Sequence, residues 1–148
     1  MRWSGLKRDI ENIFSEELNL QIYCTAYTYT NKTYSLSAPR YWITIGKELI
    51  WDFPGPFLEW KNKDQDSAVE YLDSETGTIA ETLRAYLACG RNELMDFTFP
   101  KDRFGLVDIL RAADRRLGKS KLLKKYGALS ENSVVKKILE KRFELGKY

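Results

Sequence analysis

The sequence predicts an α+β fold: an N-terminal helix, a three-stranded antiparallel meander and a helical C-terminal half, in a single domain over residues 1–148. Three observations carry that prediction. Apolar residues recur at helical spacing near the N-terminus, change to a period of two from Leu18, and return to helical spacing beyond the middle of the chain. A chain of 148 residues has the size of one domain and can bury roughly two-thirds of its unfolded surface.

Trp3, Leu6, Ile10, Ile13 and Phe14 form an apolar stripe with Lys7, Arg8, Glu11 and Asn12 between them, which predicts a helix over 4–16 with Ser4 as N-cap. Leu18, Leu20, Ile22, Cys24 and Ala26 then alternate with Gln21, Tyr23, Thr25, Tyr27 and Tyr29, giving a strand with one aliphatic and one tyrosine-rich face. Asn31-Lys32-Thr33 supplies a turn, and Pro39 precedes a hairpin, Arg40 to Phe53, closed by Gly46-Lys47. Glycine in the first central place suits a type II′ turn. In that register Ile45 faces Glu48, Thr44 faces Leu49, Ile43 faces Ile50 and Trp42 faces Trp51. The hairpin is then apolar on both faces: Tyr41, Ile43, Ile45 and Ile50 on one, Trp42, Leu49, Trp51 and Phe53 on the other. Since a hairpin needs only one buried face, the second is either covered by the rest of the chain or kept for a partner. A Trp42–Trp51 contact of this kind contributes under about 1 kcal/mol.

Pro54-Gly55-Pro56 ends the sheet. An acidic stretch follows, Asp64, Asp66, Glu70, Asp73 and Glu75, without the central glycine of a calcium loop. Ser67 with Glu70, and Thr78 with Glu81, have capping-box spacing and announce a short helix and a longer one; Ile79, Leu83, Tyr86 and Leu87 stripe the second and Gly90 stops it. Residues 91–103 fit a strand or a helical turn equally well. Leu106, Ile109, Leu110, Ala113 and Leu117 predict a helix from Phe104 to Gly118, and a last helix is expected behind Ser130 as N-cap, with Leu129 packing on Val134 and Val135, Ile138, Leu139 and Phe143 buried.

The chemistry available is narrow. With no histidine, the commonest general base and transition-metal ligand are missing, and Cys24 and Cys89 cannot make a zinc site or a disulfide framework. Leu117-Gly118-Lys119-Ser120 resembles the tail of a phosphate-binding loop, but Ala113 stands where that loop needs glycine, and the stretch is expected to end a helix rather than begin one. No enzyme activity and no cofactor are implied. No apolar run is long enough for a membrane helix, the N-terminus shows no secretory signal, and the cytoplasm is the expected location.

Charge is unevenly distributed. Residues 1–100 hold 10 Lys/Arg against 15 Asp/Glu, and residues 101–148 hold 14 against 6. The densest run is Arg111, Arg115, Arg116, Lys119, Lys121, Lys124 and Lys125. It reads either as a phosphate-tracking surface or as a solvated face complementing the acidic half.

Trp3, Leu6, Lys7, Ile10 and Glu11, together with Asp114, Arg115, Arg116, Gly118 and Lys119, resemble the terminal motifs of a family of small bacterial proteins that open with a Trp-x-x-Leu-Lys helix and carry Asp-Arg-Arg-x-Gly-Lys later. Trp42-Ile43-Thr44-Ile45 resembles that family's central strand. The resemblance implies a shared fold and brings no established activity. The leading expectation is a non-catalytic cytoplasmic protein-binding protein of the toxin-neutralising immunity type, using Tyr23, Tyr27, Trp42 and Trp51 as an aromatic patch beside the basic residues. The alternative is an RNA- or DNA-binding module with Arg115, Arg116, Lys119 and Lys121 on the backbone and tyrosines stacking on bases. A third reading is a carboxylate-based magnesium enzyme, with Asp64, Asp66 and Glu70 around the ion.

Overall fold

The computed structural model describes residues 3–30, 35–53, 79–100, 102, 105–128 and 133–143, with the side chains of 26–30 and 35–39 left aside. Helix α1 (Trp3–Glu11) leads through one 3₁₀ turn (Glu16–Leu18) into β1 (Leu20–Thr30), β2 (Ser35–Ile45) and β3 (Glu48–Phe53). Helix α2 covers residues 79–88. It is followed by α3 (Leu106–Ala113), α4 (Lys119–Tyr126) and α5 (Val134–Phe143). The sheet is antiparallel in the order β1-β2-β3, so the α+β expectation holds.

Helix α1 is shorter than its stripe predicts. Trp3 is already helical, which places Ser4 inside the first turn, and the helix stops at Glu11 because Ile13 and Phe14 leave the axis to pair with the segment behind α3. Ser15 N–H donates to Ala113 O at 2.8 Å and Arg115 N–H to Ile13 O at 2.7 Å. Leu6, Ile10, Ile13 and Phe14 are buried all the same.

The hairpin register departs from expectation at one residue. Gly46 has φ 57°, and Ile45 faces Glu48 and Thr44 faces Leu49 as the turn requires. A β-bulge then leaves Ile50 without a partner, so Ile43 faces Trp51, Trp42 faces Asp52 and Tyr41 faces Phe53. One extra residue in a period-two element exchanges its faces. Trp51 and Phe53 are thereby delivered to the core beside Tyr41 and Ile43, at 6% and 0% exposure. The predicted Trp42–Trp51 pair does not form, and the second apolar face keeps only Trp42 and Leu49, the latter exposed.

Strand β2 begins at Ser35 and includes Pro39, opposite Ala26. Ile22, four residues earlier in β1 and of the same parity, turns its N–H and C=O off the sheet edge. The donor that Pro39 lacks therefore lies on the β3 side, beyond the Tyr41–Phe53 pair that ends β3, where proline costs no ladder bond. Helix α1 covers the exposed β1 edge at Ile22: Glu11 accepts its N–H at 3.0 Å and Lys7 donates to its carbonyl at 2.6 Å, while the two side chains pair with each other at 2.7 Å. Edge protection by charged side chains blunts strand addition at that point.

The predicted helix from Phe104 to Gly118 is broken. Its carboxyl end is Asp114, in extended conformation, whose carboxylate accepts Arg116 N–H at 2.9 Å and so competes with helical bonding. A new helix, α4, starts at Lys119 and buries Leu122 and Tyr126. Helix α5 packs on α3, α4 and the 3₁₀ turn. Ser133 directly precedes it and accepts Lys136 N–H at 3.5 Å; Ser130 and Leu129 lie outside the described residues, as do Ser67, Glu70 and Thr78.

Candidate functional site

The arginines of the basic run are largely spent inside the molecule. Arg111, 7% exposed, donates to Leu94 O at 2.8 Å and Phe97 O at 2.5 Å, which fixes the 91–99 segment against α3. Arg142 donates to Ala112 O at 3.0 Å and Leu117 O at 2.7 Å, and burial pushes its pKa down. Arg115 is exposed, its Nε donating to Asn12 O at 2.9 Å.

Arg116 belongs to a buried network. Asp114 is fully buried and accepts Arg116 Nε at 2.9 Å, Arg116 Nη2 at 2.8 Å and the Tyr86 hydroxyl at 2.7 Å. These bonds raise the guanidinium pKa, and burial followed by the Asp114 charge pushes the Tyr86 phenol well above the usual tyrosine range. A forked guanidinium on a carboxylate is geometrically demanding, and lysine could not replace it.

Lysines, by contrast, face outward. Lys119, Lys121, Lys124 and Lys125 are all exposed on α4. Three of them border a groove that follows residues 91–100. A cleft of about 350 Å³ at one end has Arg91, Arg116 and Lys121 and, among the described residues, no carboxylate in its lining. The adjoining cleft, about 400 Å³, shares Arg91, Asn92 and Lys121 with it and adds Lys124, Lys125, Met95 and Asp96. Next comes a space of about 290 Å³ where Asp96, Asp102, Arg111 and Lys125 join Met95 and Phe97, and the far end is a largely apolar notch of about 250 Å³ at Ala85, Phe97, Phe99 and Pro100, with Glu81 at its border. Phe97 is 45% exposed and stacks edge-on against buried Phe99 at 4.7 Å. The groove thus has a cationic end and an aromatic end, with Asp96 and Asp102 between them.

The aromatic patch contracts to two residues. Tyr23 and Trp42 stack at 5.3 Å on the face opposite the core, each half-buried. Lys7 Nζ stands 4.4 Å from the tyrosine ring and the Arg40 guanidinium 4.7 Å from the indole, the latter fixed by two 2.8 Å bonds to Asp52. Trp51, expected on the same surface, is in the core, and Tyr27 lies on β1 with its side chain outside the described set.

The sequence reading placed Lys121 correctly on the surface and missed Arg91, Met95 and Phe97, which meet it only through the fold. The Met95/Phe97 alternation was the one available signal, and it carries no information about exposure. Burial raises the pKa of both thiols, which keeps Cys24 and Cys89 protonated at neutral pH. Among the described residues no group of three or more His, Cys, Asp or Glu could hold a metal ion, and no helix is long and apolar enough to cross a membrane. Asp64, Asp66 and Glu70 lie outside the described residues.

A profile of the SF0329 protein family matches residues 2–93, more than half of the chain. The chain belongs to the SF0329 protein family. The SF0329 match takes in α1 and the whole sheet and ends before the Asp114–Lys119 motif. Neither a curated protein nor a solved structure matches this SF0329 chain.

Proposed function

We propose that the protein is a non-catalytic cytoplasmic binding protein of the toxin-neutralising immunity type, and that the groove along residues 91–100 receives an acidic segment of a partner protein carrying an apolar anchor. The observation that supports this reading is a groove with cations at one end and exposed Phe97 toward the other. Arg91, Lys121, Lys124 and Lys125 face a single lining carboxylate, Asp96, in the two cationic clefts, while Met95 and exposed Phe97 follow directly. Charge complementarity speeds encounter and selects partners, and a desolvated aromatic anchor supplies most of the affinity in such interfaces. The Tyr23–Trp42 stack is half-buried and flanked by Lys7 and Arg40, so it offers less free apolar surface than Phe97 does.

Capture from the native host tests the proposal, with wild type compared to Phe97→Asp, Lys124→Glu/Lys125→Glu and Trp42→Ala. Support requires a protein retained after nuclease treatment, lost from the first two variants and kept by the third. Retention that nuclease abolishes would replace the proposal with the nucleic-acid reading, in which Arg115, Lys119 and Lys121 track a phosphate backbone and binding falls steeply with salt.

A further inference from the structure

We propose that the cleft bordered by Arg91, Arg116 and Lys121 is a binding site for a phosphate group. Its three cations come from three separate segments: the turn after α2, the turn after α3 and helix α4. Among the described residues no carboxylate lines it. Asp114, the carboxylate that holds Arg116, is fully buried and occupied by Arg116 and Tyr86, and Asp96 lies in the adjoining cleft. Neither Arg91 nor Lys121 has a counter-ion among the described residues. Asp114 already offsets Arg116, which leaves the charges of Arg91 and Lys121 beside the hollow, and an anion bound there offsets them, a dianion most.

Arg116 gives the site its geometry. Nε and Nη2 are held on Asp114 at 2.9 and 2.8 Å, and Tyr86 pins the same carboxylate at 2.7 Å, so the guanidinium cannot swing away. Nη1 has no partner among the described residues and remains available to the cleft that Arg116 lines. Asn92 and Ser120 add neutral hydrogen-bonding groups to the lining. A pre-set arginine, two mobile cations and neutral donors suit the several oxygens of a phosphate better than the two coplanar oxygens of a carboxylate. At about 350 Å³ the cleft has room for the phosphate and part of the group that carries it. The site shares Arg91 and Lys121 with the docked-partner reading, but that reading also needs Phe97, Lys124 and Lys125, so the two fail separately.

The test is a titration of the full chain with sodium phosphate at constant ionic strength, followed by amide chemical shifts, with phosphoserine and a nucleoside 5′-monophosphate as parallel arms. The expected result is saturable binding with shifts concentrated at residues 91–92 and 116–121, weakened at least tenfold in Arg91→Ala/Lys121→Ala and changed less than twofold in Lys124→Ala/Lys125→Ala. Both altered pairs are exposed and leave the core intact. Tighter binding of one organic phosphate identifies the carrier, and equal binding of all three identifies free phosphate as sufficient. Unsaturable shifts, shifts reproduced by chloride, or wild-type affinity in the Arg91/Lys121 variant would overturn the proposal.

Discussion

At the residue scale the decisive group is Asp114. Its carboxylate is fully buried and fixes three things at once: the end of α3, the Arg116 fork and the Tyr86 hydroxyl. Asp114→Ala strands the buried Tyr86 phenol and releases the partly exposed Arg116 fork, and should cost at least about 1.5–3 kcal/mol, measured by urea unfolding. Tyr86→Phe keeps the ring and removes one bond to a charged acceptor, for a loss of about 1.5–3 kcal/mol. The phenols also set an alkaline limit. Burial raises the pKa of Tyr41, Tyr86 and Tyr126 above the ordinary value of 10.0. Above about pH 10 the unfolded chain sheds protons that the folded chain keeps, so the slope of stability against pH is negative there. Stability should be insensitive to these groups at pH 7–9 and fall steeply beyond 10, with Tyr86→Phe showing a shallower fall.

At the element scale, one bulge determines what the hairpin is for. Ile50 sits outside the ladder, and Trp51 is therefore core while Trp42 faces outward. Trp51→Ala should cost about 3–5 kcal/mol by cavity formation, whereas Trp42→Ala, at a half-buried site, should cost clearly less in the same unfolding assay. The α1 clip makes a separate prediction. Glu11→Ala exposes the Ile22 N–H, so hydrogen exchange at that amide should accelerate severalfold while exchange at Ile43 stays slow. Periodicity revealed α1, the sheet and the later helices because each buries a regular stripe or face. The bulge was invisible, since an inserted residue in an apolar run leaves the composition unchanged and only the pairing altered. The break at Asp114 was hidden for a related reason. Leu117 continues the α3 spacing, and what stops the helix is a side-chain bond to Arg116 together with pairing to Phe14, a hundred residues away. Gly118 consequently opens a helix instead of ending one.

At the scale of the whole molecule, the basic C-terminal third divides by residue type. Arg111, Arg116 and Arg142 bind carbonyls or Asp114 within the fold, and the lysines of α4 stay in water. Planar guanidinium groups suit fixed multidentate bonding, and compact ammonium groups stay hydrated. The sequence counts both as charge, which is why the groove could not be drawn from it: Arg91, Lys121 and Phe97 converge only after Arg111 has tied the 91–99 segment to α3. Replacing Arg111 with Lys should therefore loosen residues 94–97 and weaken partner capture while Arg91, Lys121 and Phe97 themselves stay unchanged. The groove itself is best tested by photocrosslinking in the native host, with a photoreactive residue in place of Phe97 in one variant and of Trp42 in another. A docked acidic partner should give a nuclease-resistant protein adduct from position 97 and none from position 42. An adduct from position 42 alone, or only nucleic acid at position 97, would contradict docking along this groove.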